Sequence, residues 1–465
     1  MKLTRQLLLY SLLIVFFVGL IFGLLHLGGP SRNPGLPIIQ GRVAVNPHAV
    51  DFIPLFQSNL KGALPRLLLQ VVIILASTQV LGLLFKRIRQ PAVIGEIVAG
   101  MLLGPSLLGV CFPRIFHFVF PVDSLPNLHL LSQFGLILFM FIIGMELDGK
   151  LLKKQAFEAV IISHASIVIP FALGVLLSFY LYPAHGQTEF YAFALFMGIA
   201  MSITAFPVLA RIIRDRKLTD TPLGILSLGC AASDDVTAWC LLAILIALVR
   251  GGSGVQGLYT IGLVILFALI MILGVRRLLK KIQFSFSQQK LGLHVFTVIL
   301  FVVLFLSAWC TEVIGIQALF GAFLAGIIVP KQENLQKKLI EKMSDLTLIL
   351  LLPLFFAYTG LRTQVGILNT PSLWFSLMAI LFCAVLGKFG GSTLVARALG
   401  QSWNNSLSIG ALLNTRGLME LVVLNLGYDM GVLSTEIFSM MVLMALLTTM
   451  MTGPILDWIA RRQNH

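Results

Sequence analysis

The sequence has 465 residues, 58% of them hydrophobic and only 11% charged, with a mean hydropathy of +0.97, which excludes an ordinary soluble domain. The formal charge of +14 does not point to nucleic acid, because Lys and Arg fall in short groups at the ends of apolar runs rather than on one solvated face. The five cysteines stand apart with no C-x-x-C, so neither a disulfide framework nor a zinc site is indicated.

Leu7–Leu27, behind Lys2 and Arg5, resembles a signal peptide, but it is longer than an h-region and lacks a clear A-x-A site. It reads as a retained anchor helix, with cleavage as the alternative. Pro30–Lys61 is a polar connection without periodicity, so residues 1–63 form an anchor helix and loop. Apolar runs follow at Leu64–Phe85, Ala92–Val110, Leu128–Leu147, Ala156–Tyr182, Phe190–Ile213, Pro222–Val249 and Leu258–Val275. The second half continues with Leu293–Cys310, Ile316–Val329, Leu346–Leu361, Leu373–Ala396, Leu407–Leu426 and Ile437–Ile459. Lipid offers the backbone no hydrogen-bonding partner, so these runs are expected as helices, about fourteen spans in all.

If the spans alternate, Lys86/Arg87/Arg89, Arg211/Arg214/Arg216/Lys217, Arg276/Arg277/Lys280/Lys281, Lys331/Lys337/Lys338/Lys342 and Arg461/Arg462 share one side. By the positive-inside rule that side is cytoplasmic and both termini lie on it. Arg32, Arg42, Lys61 and Arg66 are exceptions of small weight, because the loop that carries or borders them is long.

The chain also repeats itself. The stretch Leu131–Leu147 is similar to Met343–Leu361, and Ala99-Gly-Met-Leu-Leu-Gly-Pro105 to Ala325-Gly-Ile-Ile-Val-Pro330. The copies cross in opposite senses, which predicts repeats at 64–250 and 291–465 joined by a linker helix and cytoplasmic loop at 251–290. In such a transporter the substrate site is expected near the midplane, between the halves.

Asp234 and Asp235 are the only charges between Pro222 and Val249. A carboxylate in that position costs ~2.5–3.5 kcal/mol on insertion scales and two neighbours repel, so the pair reads as an ion or proton site. In Ser202-Ile-Thr-Ala-Phe-Pro207 the proline removes the bond to the Ile203 carbonyl, and the hydroxyls of Ser202 and Thr204 stand beside the freed acceptor. A cation leaving water needs such oxygens. Asn414-Thr-Arg-Gly417 interrupts the matching run of the second half. Arg416 is expected to neutralise a helix C-terminus or a carboxylate, Glu420 being one turn on. Lys388, too deep to snorkel, requires a partner, with Asp234 the obvious one. The pair is either a fixed strut or an ion pair that opens when a cation binds. His164 is expected to bond a carbonyl, and the Gly100–Gly104 GxxxG to mark packing within the protomer.

Taken together, Ser202-Ile-Thr-Ala-Phe-Pro-Val-Leu-Ala-Arg211, Ala231-Ala-Ser-Asp-Asp-Val-Thr-Ala-Trp239, Gly387-Lys388 and Asn414-Thr-Arg-Gly-Leu-Met-Glu-Leu421 resemble the monovalent cation:proton antiporters, the branch with bacterial Na+/H+ exchangers, Kef-type systems and plant cation/H+ exchangers. The resemblance covers roughly Leu64–Ile459 and implies an all-α fold of about thirteen helices in two inverted repeats, with crossed broken helices and a core moving on a dimer-forming scaffold. Carried over, Asp235 is the ion-binding carboxylate, Asp234 its partner, Thr204 a ligand on the broken helix and Lys388 the lysine facing them. The implied function is exchange of Na+, or K+ or Li+, for H+ without a cofactor, in a cell inner membrane or an internal energy-transducing membrane. The chain ends at His465 and carries Asp-Asp where Kef-type members have Gln-Asp or a similar pair, which argues against a ligand-gated Kef channel. An intramembrane aspartyl protease is disfavoured because no Gly-x-Gly-Asp occurs. A cation channel remains a rival that conductance measurements would reveal.

Overall fold

The computed structural model describes residues 62–463 and Asn59, apart from 89, 147–155, 219–220, 251–253, 287–289, 316 and 331–332. The expected anchor helix and the Pro30–Lys61 loop lie outside the described residues. Among those residues there is no strand.

The helices of eight residues or more are α1 (Ala63–Arg87), α2 (Ala92–Leu103), α3 (Leu125–Glu146), α4 (Ala156–His185), α5 (Phe190–Ser202), α6 (Phe206–Asp215) and α7 (Pro222–Arg250), with two shorter ones, Leu108–Cys111 and Pro113–Val119, between α2 and α3. Then α8 (Gly254–Leu269) runs through a π-helical turn at Ile270–Val275 into α9 (Arg276–Phe286). After α10 (Lys290–Ile314) and α11 (Ala318–Ile328), α12 (Glu333–Leu346) passes through a second π turn, Thr347–Leu351, into α13 (Leu352–Arg362). Next, α14 (Pro371–Val385) and α15 (Gly391–Ala398) flank a third π turn, Leu386–Gly390. The chain closes with α16 (Trp403–Leu413), α17 (Leu418–Asp429) and α18 (Thr435–Gln463).

Ten helices among the described residues are long and apolar enough to cross a membrane, and α16 with α17 makes one further span bent by 40°. The broken α5–α6 pair and the short α11 occupy the remaining expected runs. The runs expected to end at Val275 and to begin at Leu346 are longer as helices, through α9 and back through α12. Hydropathy falls where charged residues begin, whereas these charged segments keep bonding their own backbone beyond that point.

Packing divides the helices into two bundles. In one, α1–α3 lie against α10–α13; in the other, α4–α7 lie against α14–α18. Among the glycine contacts of the first, two are related to each other. Gly100 of α2 meets the backbone of α13 at Ala357 while Gly360 of α13 meets α2 at Ile97 and Gly100, and Gly144 of α3 meets Gly326 of α11. A Cβ at any of these glycines would run into partner backbone, so only glycine allows the approach. Ala99-Gly100 matches Ala325-Gly326 and Gly144 matches Gly360 in the internal repeat, so one contact is the inverted copy of the other. The GxxxG at Gly100 and Gly104 indeed packs within the protomer, against α13.

The second bundle holds the buried charges Asp234, Asp235, Lys388, Arg416 and Glu420. His164 lies on its exposed side, its Nδ1 2.7 Å from the Val160 carbonyl.

Candidate functional site: two crossed helix breaks and an aspartate pair

Helix α5 stops at Ser202 because Ile203 turns extended (φ −75°, ψ 134°), and α6 begins at Phe206. Helix α16 stops at Leu413, and α17 begins after Gly417. The breaks cross. The Ala205 N–H donates to the Thr415 carbonyl at 3.0 Å, and the Thr204 hydroxyl lies 3.4 Å from the Leu413 carbonyl.

A helix that ends inside a membrane protein leaves its last carbonyls without intrahelical donors, and their dipoles sum to partial negative charge. Two cations take up those of α5. The Arg416 guanidinium donates to the carbonyls of Ala200 at 2.9 Å and Met201 at 2.7 Å, and the Lys388 ammonium donates to that of Ser202. The Arg416 Nη1 also lies 3.3 Å from Glu420 Oε1. Glu420 sits in the first turn of α17, where the N-terminal dipole favours a carboxylate. Helix α18 steadies the crossing through Thr449, whose hydroxyl accepts from Arg416 N–H at 2.8 Å and donates to Arg416 O at 2.7 Å.

Lys388 lies in the π turn between α14 and α15, fully buried. Gly387 beside it lies against Pro170 of α4, and Gly391 against Ile169, so the turn sits close to α4. Pro170 has no N–H to give the Ser166 carbonyl one turn earlier, and the Lys388 ammonium supplies the missing donor at 2.9 Å. Its third contact is Asp234 Oδ2 at 3.3 Å, the expected pair.

Asp234 is satisfied on every side. Its Oδ1 accepts from the Ser163 hydroxyl at 2.6 Å, and its Oδ2 accepts from Ser166 at 2.7 Å and Thr204 at 2.5 Å, besides Lys388. The adjacent Asp235 is 1% exposed, and neither of its carboxylate oxygens has a hydrogen-bond partner. Asn414, in the second break, also has both amide atoms buried without a partner.

The structure therefore brings Asp234, Lys388 and Thr204 into direct contact and sets Arg416 at the adjoining helix end. Ser202 joins them through its carbonyl. Its hydroxyl is turned to backbone, donating to Gly198 O at 2.7 Å and Ile167 O at 2.9 Å. Ser163 and Ser166 escaped the sequence reading. The available signal was a Ser-x-x-Ser step on one helix face followed by a proline four residues after the second serine.

Comparison with known proteins gives the family and the fold. The family described as "Sodium/hydrogen exchanger, transmembrane" matches residues 71–462. The chain is similar to the Na(+)/H(+) antiporter NhaS4 of Synechocystis sp., 43% identical over 392 residues that make up 84% of this chain and 96% of that protein. It is 42% identical to Cation/H(+) antiporter 17 of Arabidopsis thaliana over 86% of its own length and 49% of that protein, so it spans about half of the plant relative. The solved sodium proton antiporter MjNhaP1 of Methanocaldococcus jannaschii has the same fold, at a TM-score of 0.59 and 15% identity, over 85% of this chain and 97% of that one. The chain belongs to the sodium/hydrogen exchanger family, a family of monovalent cation:proton antiporters, with the inverted-repeat antiporter fold.

Proposed function

We propose that this protein exchanges a monovalent cation, Na+ in the first instance, for H+ by alternating access, with Asp235 as the group for which both ions compete. The observation that carries this reading is the contrast between the two aspartates. The Asp234 carboxylate already holds three hydroxyls and an ammonium, whereas that of Asp235 is equally buried and bonded to nothing. An uncompensated charge in such a place is strongly unfavourable. A proton removes the charge and a cation compensates it, so the bundle carrying Asp235 crosses with one or the other and not empty, which makes exchange obligatory.

The neutral oxygens of the cation shell come from the helix breaks. The orphaned amide of Asn414 in the second break supplies one, and Thr204 acts on the pair by fixing Asp234. Selectivity among Na+, K+ and Li+ then rests on the size and stiffness of this shell, not on its charge. Basic clusters at one end of the spans support cytoplasmic termini, and a cell inner membrane or an energy-transducing internal membrane follows from proton coupling. The first bundle, which carries no buried charge among its described residues, serves as the fixed scaffold and homodimer face, while the second moves.

Purified protein in proteoliposomes with an imposed ΔpH tests the reading. Addition of Na+, K+ or Li+ is expected to dissipate the gradient with saturable dependence on the cation. Dissipation that ignores the cation, or a conductance far above a transport cycle, overturns it.

A further inference from the structure

The two bundles are tied together at the end of the molecule opposite the basic loops. Arg362, the last residue of α13 in the first bundle, reaches the last two turns of α17 in the second. Its Nη2 donates to Asp429 Oδ1 at 2.5 Å and its Nη1 to Asn425 Oδ1 at 3.0 Å. The Asn425 amide returns a bond to the Thr359 hydroxyl of α13 at 2.9 Å. The guanidinium also lies 4.5 Å from the Tyr428 ring centroid and 5.3 Å from that of Tyr358, one ring from each bundle. Just beyond α13, the Gln364 N–H donates to the Ser439 hydroxyl of α18 at 3.0 Å. At the other end, Gln90 reaches the Met450 carbonyl at 3.3 Å.

We propose that Arg362, Thr359, Asn425 and Asp429 form a clasp that holds this end of the seam between the bundles shut, and that every transport cycle breaks and remakes it. Junctions between helices that stay fixed are made by glycine contacts, as at Gly100 and Gly144 inside the first bundle. The clasp instead consists of polar side-chain bonds, an inner one between the buried Thr359 and Asn425 and an outer one between the partly exposed Arg362 and Asp429, where water can enter first. The Arg362 and Asp429 side chains are 16% and 38% exposed, which keeps their bond weak enough to open. Asp429 and Asn425 lie on the same chain segment as Arg416 and Glu420, through one continuous helix. Displacement of α17 at the helix break is thereby felt at the clasp without a further moving part. The proposal rests on the reading that the second bundle moves against the first.

A reversible cross-link tests it. In a background with Cys111, Cys230, Cys240, Cys310 and Cys383 replaced by serine, Thr359→Cys and Asn425→Cys place two thiols at the clasp. A short bis-methanethiosulfonate is expected to arrest cation-dependent H+ flux, and reductant to restore it. Continued flux in the cross-linked protein, or failure of the two thiols to link when the reagent is applied during cation-driven turnover, overturns the clasp. Because that double variant loses one native bond, Arg362→Gln and Asp429→Asn give an independent reading through hydrogen–deuterium exchange of residues 418–429. Each is expected to speed exchange about two- to fivefold, the range that a partly exposed ion pair commands. Unchanged exchange in both overturns the clasp whatever the flux, while faster exchange together with unimpeded flux through the cross-link assigns the failure to the moving bundle.

Discussion

Asp234 and Asp235 are neighbours in sequence on one buried helix, yet the carboxylate of Asp234 receives four side-chain donors and that of Asp235 receives none. Successive residues on a helix point about 100° apart, so the rotation that turns Asp234 to the serines of α4 does not bring Asp235 to them. Removing the charge at the two positions therefore has different consequences. Asp235→Asn is nearly isosteric and is expected to reduce cation-dependent H+ flux to background without lowering the melting temperature. Asp234→Asn is expected to lower the melting temperature as well, by stranding a buried ammonium. Flux and thermal unfolding of the two purified variants check this, and ordinary flux through Asp235→Asn refutes the assignment of the ion-binding carboxylate.

The hydroxyls that hold Asp234 are expected to act on ion binding from one step away. Ser166→Ala and Thr204→Ala each remove a donor from Oδ2, and a hydrogen bond to a charged group contributes roughly 1.5–3 kcal/mol. Some of that loss is recovered by closer approach of Lys388. The expected outcome is a lower melting temperature and a changed pH profile of flux, with a smaller change in apparent cation affinity. Asn414→Ala gives the opposite pattern, a weaker apparent affinity and an altered Na+/K+ ratio with little loss of stability, because its amide has no bonds to lose. Apparent affinities for the three cations, measured beside thermal unfolding, separate the two patterns.

Much of this site was legible in the sequence, for a physical reason. Asp234, Lys388 and Arg416 are conspicuous because a charge in an apolar run is costly, and each had to find a partner of the kind it has. The helix breaks were marked by Pro207 and by Asn414-Thr-Arg-Gly417. The serines were not legible. A serine in a membrane helix can bond its own backbone at little cost, as Ser178 and Ser202 do, so its presence says nothing until the facing helix is known. Thr204 shows the same limit, since the break placed it at the site but only the fold turns its hydroxyl to Asp234. The clasp was invisible because Arg362 and Asp429 stand at helix ends, where charges need no explanation.

The paired glycines of the first bundle give a prediction about assembly alone. Gly326→Val places a branched side chain against the backbone of α3, an overpacking expected to cost about 1–3 kcal/mol and to lower the melting temperature. Gly144→Val is expected to do the same from the other side of that contact. Gly262→Ala, where nothing lies within 4 Å, is the control and is expected to leave stability unchanged. Thermal unfolding in one detergent compares the three, and equal stability of Gly326→Val and Gly262→Ala would remove the close approach of α3 to α11.

Lys388 separates two accounts of the cycle. Its ammonium has three acceptors, the Ser166 and Ser202 carbonyls and Asp234 Oδ2, and two of them are backbone atoms at helix irregularities. If the lysine is a strut, its work is to satisfy those carbonyls and to balance Asp234. Lys388→Gln then strands a carboxylate, costs about 3–5 kcal/mol, and leaves the charge moved per cation unchanged in whatever protein still folds. If it also gives up its proton when a cation enters beside Asp235, each turnover carries one proton more than Asp235 alone supplies. Lys388→Gln then lowers the protons exchanged per cation by one and moves an electrogenic exchanger toward electroneutrality. The backbone contacts support the strut, because they hold the ammonium whether or not Asp234 lets go. The direct bond to Asp234 supports the carrier, because a cation at Asp235 raises the positive charge facing that same pair. We expect the carrier outcome, since two carboxylates and one lysine in contact provide more protonation states than one-for-one exchange needs. Reversal potentials of wild type and Lys388→Gln in proteoliposomes at fixed ΔpH decide between them. A shifted reversal potential makes Lys388 part of the transport chemistry, and an identical one beside a lowered melting temperature leaves it a strut.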